Sequence, residues 1–181
     1  QRLHQANNMS RIRVLNTSLF LFLVFLIQTT LIARINFPIG GFSLYIATLM
    51  VVLSLEDRTG SLVFGFIGGL IMDLSPSAQT PFGQWALAMT FIGYLFSVNR
   101  ESVGDFNDRP LALASLVSVA ASVSMFSFVV IGVLLGQNNG GLLRNLLVIF
   151  ANFIWTFLIT PIFMPLILKV RKMLLTNRER V

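Results

Sequence analysis

The chain has 181 residues, of which 55% are hydrophobic and 11% charged, roughly the inverse of the balance in a soluble domain of this length. Six apolar spans of about 20 residues would occupy roughly 120 positions, which excludes an extramembrane domain and puts any chemistry in the membrane or at its surface. The net charge of +6 comes from 13 Lys and Arg against 7 Asp and Glu; the basic residues sit at the chain ends and in short turns, a pattern of membrane orientation rather than nucleic-acid binding. Cysteine is absent and His4 is the single histidine, so disulfides, thiolate chemistry, His-based metal sites and Ser-His pairs are set aside.

Gln1 to Asn8 precede a plausible start at Met9 and read as a polar extension without a structural role; residues 1–13 together form an N-terminal tail. The first apolar span is Val14 to Ala33, 20 residues long. It is longer than a signal-peptide core and ends in no small-residue cleavage site, so it reads as a retained anchor. Turn chemistry at Asn36, Pro38, Gly40 and Gly41 leads into a second span, Phe42 to Leu55. The charged turn Glu56-Asp57-Arg58-Thr59-Gly60 follows, then a third span from Ser61 to Leu74. These two spans are short: 14 residues each rise only about 21 Å. They borrow flanking turns, lie where the protein is thin, or penetrate partway.

Ser75-Pro76 and Thr80-Pro81 each place a hydroxyl before a proline, as at a helix start, and the fourth span runs from Pro81 to Val98. Beyond the charged loop Asn99 to Pro110 comes a fifth span, Pro110 to Leu135, and a glycine- and asparagine-rich turn at 136–141. The sixth span, Leu142 to Leu168, carries Pro161 and Pro165, tolerated where neighbours satisfy the freed carbonyls. A basic C-terminal tail at 169–181 holds Lys169, Arg171, Lys172, Arg178 and Arg180, suited to an anionic cytoplasmic leaflet. The predicted fold is therefore all-α: a compact polytopic bundle of six transmembrane helices over 14–168 between two tails. Eleven of the 13 basic residues fall on the side that holds both termini, and Arg34 and Arg144 on the other, so both termini are expected in the cytoplasm.

The third span carries Ser61, Gly65, Gly69 and Asp73 at intervals of four, with Gly68 beside them. Small residues at this spacing let another backbone approach closely, either within the chain or from a partner. Asp73 is an acid near hydrocarbon at a helix C-terminus, where the macrodipole opposes it, so it needs a compensating contact. Three readings are open for it: a cap on the Ser75-Pro76 turn at the interface, a structural or partner-binding contact, or a proton or cation site. Ser115, Ser118 and Ser122 in the fifth span and Asn145, Asn152, Thr156 and Thr160 in the sixth are expected to face each other as a hydrogen-bonded interior seam. Trp85 reads as an interface anchor and Trp155 as packing. No P-loop is present, and Asp73 is the one acid placed near a span, which leaves an intramembrane protease or other enzyme little to work with. No catalytic residue, cofactor or metal is assigned.

The stretch Gly65-Phe-Ile-Gly-Gly-Leu-Ile-Met-Asp73-Leu, followed by Pro81-Phe-Gly-Gln-Trp-Ala-Leu-Ala-Met-Thr-Phe-Ile-Gly-Tyr94, resembles the most recognisable segment of the rod shape-determining protein MreD family. That pattern is a glycine-rich helix ending in Asp-Leu, a short loop, and a helix of the Gly-x-x-Ala-Leu type. The loop with Glu101, Asp105 and Asp108 is longer and more charged than the family's. The resemblance implies a noncatalytic subunit of the bacterial cell-elongation machinery in the cytoplasmic membrane. Such a subunit binds MreC, works with MreB, RodA and its partner transpeptidase, and regulates peptidoglycan synthesis and cell shape. Gly65, Gly69 and Asp73 are the positions carried over from the family. The reading from another class is the six-helix substrate-binding subunit of a vitamin-type transporter, which needs an open cavity lined by the Asn145, Asn152 and Thr156 stripe and the end of the third span.

Overall fold

The computed structural model of the chain describes residues 11–38, 41–75, 80–106, 108–138 and 140–174. The polar extension at 1–8 and Pro76, Arg178 and Arg180 lie outside them. The described residues form α1 (Arg11–Thr30), a 3-10 turn (Ile32–Arg34), α2 (Leu44–Leu55), α3 (Arg58–Asp73), α4 (Gln84–Val98), α5 (Arg100–Gly104), α6 (Pro110–Leu134) and α7 (Leu142–Leu174), with no strand among them. Three of these helices are long and apolar enough to cross a membrane, those within Arg11–Arg34, Pro110–Leu134 and Leu142–Leu174, and α2 and α4 are shorter apolar helices. These features mark an all-helical membrane protein.

Helix ends follow from capping. Ser43 accepts from the Ile46 N–H at 3.3 Å and opens α2, while Gln28 Oε1 of α1 takes the Leu44 N–H at 2.8 Å. Asp57 Oδ1 accepts from the Gly60 N–H at 3.1 Å, so α3 begins at Arg58 and the expected five-residue charged turn shrinks to Glu56-Asp57. Pro110 occupies the first turn of α6, where its missing N–H costs nothing. The far end of α6 closes on Gly136 at φ 78, with the Gly136 N–H on the Val133 carbonyl and the Gln137 N–H on that of Gly132, a Schellman arrangement. The charged loop after α4 contains the short helix α5. The basic segment expected as a tail from Lys169 continues α7 to Leu174, because Lys and Arg are good helix formers and cations suit a helix C-terminus.

Helix α2 is the centre of the molecule. Every residue from Tyr45 to Ser54 is buried, and α2 packs on α1, α3, α6 and α7, as a helix apolar all round must. Its shortness has a plain cause: it lies inside the protein, not against lipid. α1 turns Thr17, Leu21 and Val24 inward, packs Val14, Phe20 and Phe25 partly against the core, and leaves Leu15, Leu19, Phe22 and Leu23 exposed. Neighbouring helix ends coincide. Arg13, Glu56, Arg100 and Arg171 gather the start of α1, the α2–α3 corner, α5 and the last turns of α7 at one end of the bundle. At the opposite end Asn152 Nδ2 donates to the Gly41 carbonyl and the Trp155 indole N–H to that of Pro38, each at 3.3 Å.

Candidate functional site

The α3–α4 hairpin is the most closely joined pair of helices in the fold. A Cβ placed on Gly65 would lie 2.6 Å from the Met89 carbonyl oxygen; on Gly69 it would strike the Trp85 carbonyl, and on Gly93 that of Ser61. The contacts repeat every four residues along both helices in antiparallel register, Ser61 with Gly93, Gly65 with Met89, Gly69 with Trp85 and Ala86. Backbone therefore meets backbone along the whole face. Gly68 points elsewhere, to α2, where an added Cβ would lie 2.6 Å from Leu49 and where its carbonyl accepts from the Tyr45 hydroxyl at 2.7 Å. The small-residue face of α3 is thus filled from within the chain.

Asp73 completes this hairpin. Its Oδ1 accepts from the Trp85 N–H at 3.0 Å and its Oδ2 from the Ala86 N–H at 2.8 Å. Gly83, the residue at the N-cap of α4, has φ +97 and offers no side chain. Asp73 supplies the missing cap from the preceding helix and puts its negative charge at the positive end of the α4 macrodipole. Of the readings open for Asp73, these bonds fit a structural contact, and the acid's own helix C-terminus is offset by the helix N-terminus it faces.

A second charged site appears at the opposite end of the bundle, and the sequence reading missed it. Glu56 is 1% exposed. It pairs with Arg13 of α1 and, through Oε1, with Arg171 Nη2 of α7 at 3.3 Å; Asp57 Oδ1 lies 3.5 Å from Arg13. Arg171 also donates to the Leu55 carbonyl at 2.8 Å, and Arg100 donates to that of Ser54. Both carbonyls belong to the last turn of α2, where no intrahelical partner exists, and cations there complement the dipole. Burial lowers the Arg100 pKa from its ordinary value, with neighbouring Arg171 acting in the same direction and Asp57 opposing it. Asp73 is therefore not the one acid beside a span. The available signal was an acid directly after the apolar run ending at Leu55, on the side rich in arginine.

The α6 members of the expected polar seam bond within their own helix. Ser115, Ser118, Ser122, Ser124 and Ser127 each donate to a carbonyl three or four residues back in their own helix, which satisfies a hydroxyl in an apolar setting without a second helix. On α7, Thr156 donates to Asn152 Oδ1 at 3.3 Å while the Asn152 amide reaches Gly41. Asn145 stands in the first turn of α7, about 10 Å along the helix from Asn152. Trp85, expected as an interface anchor, stacks on Phe128 of α6 at 4.0 Å, and Trp155 packs edge-to-face on Phe37 at 5.2 Å. Among the described residues no group of three His, Asp or Glu side chains is placed to hold a metal. The surface instead carries apolar grooves, one of about 340 Å³ between α4, α5 and α6 that includes Leu95, Phe96, Phe106 and Val123.

No family model, curated protein or solved structure matches this chain. What the residues themselves define is a helical membrane protein whose buried charges cap helix ends.

Proposed function

We propose that this chain is a noncatalytic, six-pass subunit of a bacterial cell-elongation complex, similar in role to MreD, which binds MreC in the inner membrane and regulates peptidoglycan synthesis. The observation that supports it is the α3–α4 hairpin. The segment resembling the family is a rigid structural unit, with Gly65, Gly69 and Gly93 given to helix contact and Asp73 to helix capping. Residues so engaged serve assembly rather than turnover. The meeting of the α1 N-terminus and the α7 C-terminus at the basic end fits six alternating passes with both termini cytoplasmic. In this reading MreC docks on the outer surface of the bundle, since the glycine face is occupied, and MreB, RodA and its transpeptidase join through the same complex.

The transporter reading has less support, because Asn152 and Thr156 are buried and bonded to each other and to backbone. The test is affinity purification of the tagged chain at native expression level, with copurifying proteins identified by mass spectrometry. MreC is expected as the leading membrane partner. An energy-coupling ATPase module in its place, or intact protein without MreC, would overturn the proposal.

A further inference from the structure

The helices do not share one length, and the contacts show where the excess lies. At 1.5 Å per residue α2, α3 and α4, with 12, 16 and 15 residues, rise about 18, 24 and 22 Å, whereas α6 and α7, with 25 and 33 residues, rise about 37 and 50 Å. A bilayer core is about 30 Å thick. At the basic end Arg171 of α7 is level with Leu55 and Glu56, so little of the excess falls there. At the other end Asn152 is level with Gly41 and Gln84, which donates to the Phe128 carbonyl at 2.9 Å, is level with Phe128. Residues 142–151 of α7 thus overhang the α2–α4 body by about 15 Å, and residues 129–134 of α6 by about 9 Å.

This overhang is apolar on its outer surface. Leu134 is 80% exposed and Leu142 and Leu143 73% and 72%, and Leu146, Leu147 and Phe150 continue the exposed face. The two basic residues of this side record the same offset. Arg34 lies between Ala33 and Ile35, which line a hollow with Gly41 and Phe42 just before α2. Arg144 lies eight residues before Asn152, about 12 Å further out. Arginines near span ends mark the headgroup level.

We propose that the surface of this chain is matched to a bilayer of uneven thickness, thin beside the α3–α4 hairpin and thick beside α6 and α7, with lipid chains covering the overhang. Lipid deformation meets mismatch of this size at modest cost, while an exposed leucine surface in water is far less favourable. The inference rests on membrane insertion, which flotation of the wild-type protein with vesicles checks separately.

The chain has no cysteine, so single spin labels can report depth in palmitoyl-oleoyl phosphatidylcholine vesicles. Labels at Leu146→Cys, Phe82→Cys and Leu87→Cys occupy exposed positions and leave the core packing alone; circular dichroism verifies each fold. Collisions with oxygen, which partitions into hydrocarbon, are compared with those of an aqueous nickel chelate. Leu146→Cys and Leu87→Cys are expected to favour oxygen, and Phe82→Cys the nickel chelate. Three outcomes would overturn the proposal: nickel access at Leu146→Cys, as for an overhang in water; protection of Leu146→Cys from both reagents, as for cover by a second copy or partner; or oxygen-dominated collisions at Phe82→Cys, as in a flat, thick bilayer.

Discussion

A carboxylate has two acceptor oxygens and an amide only one, which decides what Asp73→Asn does here. Each oxygen of Asp73 takes one N–H from the first turn of α4, so the amide keeps a single bond and turns its NH2 toward the other N–H. Asp73→Asn is expected to cost about 1–2 kcal/mol and Asp73→Ala about 2–4 kcal/mol. Thermal unfolding in detergent should rank wild type above Asn above Ala; equal loss for both would show that charge alone matters. Glu56 offers a sharper case, because its removal leaves Arg13 and Arg171, both largely buried, without the carboxylate between them. Glu56→Gln should destabilise by about 3–5 kcal/mol, whereas Glu101→Gln, which breaks only an exposed 3.8 Å pair with Arg58, should leave the unfolding temperature where it was. Similar shifts from both would refute a special role for the buried pair.

Among the elements, α3 shows how far periodicity reaches. The four-residue spacing of Ser61, Gly65, Gly69 and Asp73 makes the small face visible in the sequence. The helix it receives was not visible, since Gly93 and the carbonyls of Trp85 and Met89 carry no side-chain pattern of their own. Glu56 stayed hidden for a related reason: its partners lie 43 and 115 residues away, and a charged turn looks solvated until those distances close. The serines of α6 misled because a hydroxyl can bond its own helix. The apolar segments, by contrast, were legible as helices from composition, three of them long and apolar enough to cross a membrane, with boundaries moved where a cap from another helix or a favourable basic turn intervened. Gly69→Leu is accordingly a folding variant. Its side chain would meet backbone, which cannot yield as a flexible side chain can, so membrane abundance should fall, whereas Phe66→Leu on an exposed position should hold it. Normal abundance of Gly69→Leu would mean that α3 and α4 separate without penalty.

For the molecule as a whole, the proposed orientation, with both termini on the arginine-rich side, is one that single cysteines can read. Gly104→Cys, beside open space at the arginine-rich end, should resist an impermeant thiol reagent applied to intact cells. Gln137→Cys, beyond the end of α6, should react; labelling of Gly104→Cys alone would invert the topology.

The arrangement around Glu56 also imposes an order on biosynthesis. Its pairing with Arg13 needs only the first two helices, but the bond to Arg171 joins residues 115 positions apart, so it waits for α7 to leave the ribosome. Until then one buried carboxylate is only partly neutralised, and the Leu55 carbonyl lacks its guanidinium, although Arg100 already serves that of Ser54. A chain stopped at Gly136 should therefore be cleared faster than the full-length protein in a pulse-chase experiment, and Glu56→Leu in the same truncated chain should slow that clearance; no difference would detach the pair from assembly.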